Sequence, residues 1–168
     1  MPVDLVQRVN LDFLYEPFLE DILKLLAACR ARGVDYWLTE GFRSYARSHQ
    51  LRALFLEGKG GKAAPAGQSA HNFGLAVDLA RDLDVKRKGL QPSWKAEDFT
   101  VLGEEVAKFP HLVWGKSFGD MPHVNYKGAT NAQELKPLAD IWRKSNEREE
   151  LTKLREVWDY IESKSPRK

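Results

Sequence analysis

The sequence predicts an α+β fold: a small antiparallel sheet flanked by helices, with extra helices at the C-terminal end. Three observations carry this. Apolar residues fall at helical spacing between Glu16 and Arg32. Short alternating stretches occur at Val34–Thr39, Leu112–Trp114 and His123–Tyr126, each beside turn-forming residues. An amphipathic stretch closes the chain, with Leu151, Leu154, Val157, Trp158 and Ile161 on one face and mixed charges opposite. Short strands beside turns, with helices before and after, are the signature of segregated helices on an antiparallel sheet.

Taken in order, Phe18, Ile22, Leu25 and Leu26 define the first helix, and Gly33 stops it. Val34, Tyr36 and Leu38 alternate as a strand that ends at Glu40-Gly41. Ser44 is the expected N-cap of a second helix running to about Leu56, with Gly58 beyond it. The segment Lys59–Gly67 is rich in Gly, Ala and Pro and reads as a flexible loop. Ser69–Leu79 alternates around a turn at Asn72-Phe73-Gly74, and Ala80–Pro92 reads as a charged connection. Ala96–Phe109 fits a third helix closed by Pro110. Two helical stretches follow Thr130, and the tail from Ser163 onward is expected to fray. Residues 1–130 read as the functional domain and 131–168 as a helical extension packed on it, with a partner-binding role for the last helix as the alternative.

The 168 residues are enough for one domain with a core. Hydrophobic residues at 43% and charged residues at 30% exclude a disordered chain. A net charge of +2 gives no footprint for nucleic acid. The lone Cys29 has no partner for a disulfide or a Cys-x-x-Cys zinc site, and reads as a buried small hydrophobe. No apolar run is long enough to cross a membrane, so no membrane insertion is expected. The N-terminus lacks a basic region followed by an apolar one, so no signal peptide is expected and synthesis is assigned to the cytoplasm.

Of the four histidines, His71 and His123 have the company a metal needs. His71 precedes Asp78 by seven residues. A straight strand would part them by about 23 Å, and a straight helix by about 10 Å. A turn at Asn72-Phe73-Gly74 lets the two side chains converge, and Gly74 supplies the permissive backbone. His123 follows Pro122, with Asp120 three residues before it. Two histidines and an aspartate give three N/O ligands, which suits zinc and leaves a fourth position open for water. A nearby carboxylate would then carry the proton, and Asp120 is the candidate. Spacing alone leaves a second reading open, in which the histidine sits on a strand and hydrogen-bonds at a polar edge.

The wider string Ser69-Ala70-His71-Asn72-Phe73-Gly74-Leu75-Ala76-Val77-Asp78 matches Ser-x-His-x-x-Gly-x-Ala-x-Asp. It resembles the signature of the zinc D-Ala-D-Ala carboxypeptidase and L-alanyl-D-glutamate endopeptidase family. Asp120-Met121-Pro122-His123 is similar to the family's second motif, and Glu40-Gly41-Phe42-Arg43-Ser44 with Gln50 is similar to its Arg-containing segment. The pattern most resembles the phage endolysins. The resemblance implies one Zn2+ held by His71, Asp78 and His123, with Asp120 as general base and then acid. Arg43 would stabilise the oxyanion or orient the carbonyl. Ser69 would support the site or touch the substrate backbone, and Gln50 and Trp114 would either back the residues around the metal or line the substrate cleft. Four plainer roles stay open: a surface ion pair for Arg43, a turn closure for Ser69, solvated helix surface for Gln50 and core packing for Trp114. His49 and His111 match no ligand position.

The implied substrate is the stem peptide of peptidoglycan, cut at L-Ala–D-Glu. The implied protein is a monomer made in a host cytoplasm and released to the wall through a holin. A D,D-carboxypeptidase or dipeptidase acting on D-Ala-D-Ala, or a non-catalytic zinc-binding module, are the competing readings. The segment Val113–Gly119, with Lys116 where a small or acidic residue is expected, would line the cleft.

Overall fold

The computed structural model describes residues 9–164, so residues 1–8 and 165–168, including the end of the tail expected to fray, lie outside the described residues. Ser163 and Lys164, the start of that tail, are helical. The elements are α1 (Glu16–Ala31), β1 (Asp35–Glu40), α2 (Tyr45–Leu56), β2 (Ala76–Asp82), β3 (Pro92–Ser93), α3 (Thr100–Val106), β4 (Leu112–Trp114), β5 (His123–Tyr126), α4 (Ala132–Lys144) and α5 (Glu150–Lys164). The architecture is α+β, with an antiparallel sheet ordered β1-β2-β5-β4. The two-residue β3 pairs with the far end of β2, at Arg81 and Asp82.

Strand alternation gives the sheet two unlike faces. Tyr36, Leu38, Val77, Leu79, Leu112, Val124 and Tyr126 form one face, and all join the main core. Phe18, Ile22, Leu25, Leu26 and Cys29 of α1 lie in the same core, each about 2% exposed or less. Burial of each of these large apolar side chains stabilises by roughly 1.5–3 kcal/mol. Burial also pushes the Cys29 thiol up to about 12, which leaves it an inert packing group. The other face carries Trp37, Asp78, Ala80, His123 and Asn125.

Three local differences from the sequence expectation have physical causes. The helix expected over Ala96–Phe109 is a 3-10 turn at Ala96–Phe99 followed by α3. Tyr36 explains the break: its hydroxyl donates to the Asp98 carbonyl (2.7 Å) and accepts from the Leu102 amide (3.3 Å). Those two groups would bond each other in a continuous helix, and the hydroxyl stands between them. The charged connection is shorter than expected, because β2 runs on to Asp82 and the chain returns as β3. Asp82 closes that excursion by accepting from the amides of Asp84 and Gln91. The loop 59–67 is pinned by Arg52, which donates to the Ala63 carbonyl, and by the Gly67 amide, which donates to Asn72.

The C-terminal helices are seated on the main core. Leu135, Leu138 and Trp142 of α4 and Leu154 and Val157 of α5 are buried in it. Trp142 stacks on Tyr45 at 5.0 Å and meets Phe73 edge-on. The Trp158 indole donates to the Phe73 carbonyl at 2.8 Å. The helices therefore bear directly on the turn that holds His71.

Candidate metal centre

The expected turn before β2 forms as a 3-10 helix at Ala70–Phe73, with all four residues buried. Ser69 caps it, its Oγ accepting from the His71 amide at 3.3 Å. Gly74 ends it at φ 66°, in the left-handed region that a side chain disfavours. A Cβ there would stand 2.3 Å from the Phe13 carbonyl oxygen, so the backbone approach is also too close for any other residue. The chain then enters β2, and Asp78 pairs in register with His123 of β5.

These placements bring three ligand atoms together. His71 Nδ1 bonds the Gly41 carbonyl at 2.8 Å, which leaves Nε2 facing Asp78. His123 Nε2 bonds Asn125 Oδ1 at 3.0 Å, which leaves Nδ1 facing Asp78. Both free nitrogens lie 3.4 Å from the same Asp78 Oδ1. That oxygen is buried and has no hydrogen-bond partner. A tetrahedron with zinc bonds of about 2.1 Å has edges of about 3.4 Å. The three ligand atoms all lie within 4.8 Å of one another. An unsatisfied buried oxygen between two oriented imidazoles fits a metal ion, and the outer hydrogen bonds fix each ring as metal-ligating histidines require.

The electrostatics agree with this layout. Burial lifts the Asp78 carboxyl, but His71 and His123 outweigh it and hold the group well below the usual carboxylate range. Burial alone would lower His71, yet the Asp78 and Glu40 carboxylates raise it overall. Asp120 is raised, by burial first and by the neighbouring Asp78 next.

Asp120 projects from the turn before β5. Its Oδ2 lies 3.9 Å from His123 Nδ1, and its side chain is 51% exposed. The Asp120 amide donates to the Gly115 carbonyl, and the His123 amide to the Asp120 carbonyl. Gly115 permits this closure: a Cβ there would stand 2.2 Å from the Asp120 carbonyl oxygen.

Arg43 is tied to the same centre. Its amide donates to the His71 carbonyl at 2.9 Å, and its Nε donates to Glu40 at 2.6 Å. Gln50 lies exposed on α2, where its side-chain oxygen accepts from Arg47 at 3.4 Å. No hydrogen bond joins it to the metal centre among the described residues. Trp114 departs from the cleft position that the resemblance implies. It pairs with Val124, next to His123, so strand alternation turns it to the opposite face. There its ring abuts Gly103 of α3, and its indole donates to the Met121 carbonyl. Lys116 follows it, with Nζ 5.6 Å from the Trp114 ring centroid. The residue of that segment beside the centre is Phe118, whose ring meets His123 edge-on at 5.4 Å and is 46% exposed. His49 is exposed, and His111, also exposed, stacks on Tyr126.

The sequence placed Glu40 and Gly41 at a strand end, Asn72 in the turn and Phe118 in the segment lining the cleft, but not their bonds and contacts at the centre; Asn125 had no reading of its own. Asn72 is fully buried, accepting from the Gly67 amide and donating to the Arg43 carbonyl and to Ser48 Oγ. Its place inside the histidine motif was a signal for a structural role. The carbonyl of Gly41 leaves no mark in a sequence.

Several known proteins are similar to this chain. Residues 13–118 match the family described as VanY, D-alanyl-D-alanine carboxypeptidase, a match that includes His71 and Asp78 and ends before Asp120. Peptidoglycan L-alanyl-D-glutamate endopeptidase CwlK of Bacillus subtilis (strain 168) is 35% identical over 112 residues, covering 60% of this chain. The match spans 65% of the length of that relative. Among solved structures, the Serratia marcescens L-Ala D-Glu endopeptidase ChiX aligns with a TM-score of 0.47 at 23% identity, over 70% of this chain and 84% of that one. VanYB in complex with D-alanine-D-alanine aligns with a TM-score of 0.45 at 20% identity, over 75% of each chain. The vancomycin resistance D,D-pentapeptidase VanY in complex with Zn(II) aligns with a TM-score of 0.44 at 21% identity, over 75% of this chain and 76% of that one. The family match covers more than half of the sequence, and the chain belongs to the VanY D-alanyl-D-alanine carboxypeptidase family.

Proposed function

We propose that this chain is a zinc-dependent peptidoglycan peptidase that hydrolyses the L-Ala–D-Glu bond of stem peptides and serves as an endolysin. The observation that carries the metal chemistry is the buried, unpartnered Asp78 Oδ1, with a histidine nitrogen 3.4 Å away on each side. The choice of bond is supported by the name of the curated relative at 35% identity.

His71, Asp78 and His123 would hold the ion. A zinc ion bound there lowers the pKa of water and polarises a carbonyl. The chain's own residues supply the rest. Asp120, exposed beside His123, accepts a proton from the attacking water and passes it to the leaving nitrogen. Arg43 directs guanidinium N–H groups at the oxygen on which charge develops. Ser69 acts indirectly, by capping the turn that presents His71.

Digestion of purified muropeptides, with the products weighed, tests the bond. Cleavage between L-Ala and D-Glu is the expected result. Release of free D-Ala with that bond intact would establish the second reading, a D,D-carboxypeptidase, which the family's own description favours. A non-catalytic zinc module is disfavoured, because Asp120 and Arg43 both stand at the centre. Synthesis in a host cytoplasm, passage to the wall through a holin and action as a monomer complete the proposal. Among the described residues, no helix is long and apolar enough to cross a membrane.

A further inference from the structure

Arg43 is a mostly buried guanidinium, its side chain 13% exposed, that uses little of its donor capacity. Nε donates to Glu40 Oε1 at 2.6 Å. Among the described residues, the two η nitrogens donate to no protein acceptor. An arginine carries five N–H donors in a rigid fork. Holding the fork at Nε therefore restricts where the other four can point.

Glu40 is rooted in the metal centre itself. It pairs with Asp78 across β1 and β2, just past a register shift between Leu38 and Glu40. The next residue, Gly41, accepts from His71 Nδ1, and Arg43 donates its amide to the His71 carbonyl. Segment 40–43 thus touches a metal-site histidine twice and the strand of the aspartate once. The Arg43 carbonyl is held in turn by the buried Asn72.

We propose that Glu40 is a positioning residue for Arg43, holding its guanidinium by Nε so that the η nitrogens meet the developing oxyanion. This rests on the reading of Arg43 as the oxyanion donor. An ordinary surface ion pair would serve stability only, and weakly. A positioning pair acts on the transition state, so its loss lowers kcat and leaves KM nearly unchanged.

The test is a double-mutant cycle of Glu40→Gln and Arg43→Ala in the zinc-loaded chain, reading kcat, KM and bound zinc. Glu40→Gln is expected to lower kcat about 10- to 100-fold, with KM and zinc content held. In the Arg43→Ala background the same change should alter kcat by less than about twofold, because the group it positions is gone. Glu40→Asp, which keeps the charge, should recover part of the loss and serves if the Gln variant folds poorly. Two outcomes overturn the proposal alone: an unchanged kcat in Glu40→Gln while Arg43→Ala is impaired, or equal losses with and without Arg43. An undiminished kcat in Arg43→Ala would overturn the reading of Arg43 and this proposal together.

Discussion

The two histidines of the candidate metal centre are held by walls of different construction. The His71 wall is buried and bonded throughout: the ring to Gly41, the capping Ser69 to the His71 amide, and Asn72 to three separate segments. Phe13 and Trp158 press on the turn from outside. The His123 wall is a turn at residues 115–122, with Asp120 51% exposed and Phe118 46% exposed. The difference separates tasks. In the proposed reading a rigid wall would fix a ligand and an orienting cation, while an open wall would admit substrate and carry the carboxylate proposed to exchange protons with it.

Predictions follow that difference from the largest effect down. Asp120→Ala should lower hydrolysis about 10²- to 10⁴-fold while zinc content and melting temperature hold, checked by turnover and elemental analysis on the same sample. Unchanged hydrolysis would remove the open wall's chemical role. Gly74→Ala should destabilise by about 3 kcal/mol or more, since the new Cβ meets the Phe13 carbonyl oxygen at a positive φ. Chemical denaturation would read it. Asn72→Ala should cost about 2 kcal/mol, because the Gly67 amide, the Arg43 carbonyl and Ser48 lose their partner in the interior. Phe118→Ala should change stability by less than about 0.5 kcal/mol while raising KM for the peptide. If Phe118→Ala destabilises as much as Asn72→Ala, the two walls are not distinct.

Much of the fold and of the centre was legible because the signals are local. Gly74 and the seven-residue gap from His71 to Asp78 gave a turn that returns both side chains to one place. The ends of α1 and α2 were marked by Gly33 and by the Ser44 cap, whose Oγ accepts from the Arg47 amide. What stayed hidden depends on long-range register. Trp114 reads as a cleft residue until its pairing with Val124 turns it toward α3. Nothing near Ala96–Phe109 announces that Tyr36, some sixty residues earlier, interrupts the helix with its hydroxyl. A strand as short as Pro92–Ser93 has no periodicity to read. Glu40 and Arg43 are only three positions apart, but the alignment of Glu40 with Asp78 across two strands could not be read from that spacing.

In the proposed mechanism His71, Asp78 and His123 hold one zinc ion that peptide hydrolysis requires. The most direct measurement strips the chain of metal with a chelator, removes the chelator, and follows stem-peptide hydrolysis as zinc is added back. Activity should be absent at the start, rise in proportion to added zinc and level off at one equivalent per chain. Full activity in the stripped protein, or no recovery on adding zinc to protein that remains folded, would rule out a required zinc ion at these residues.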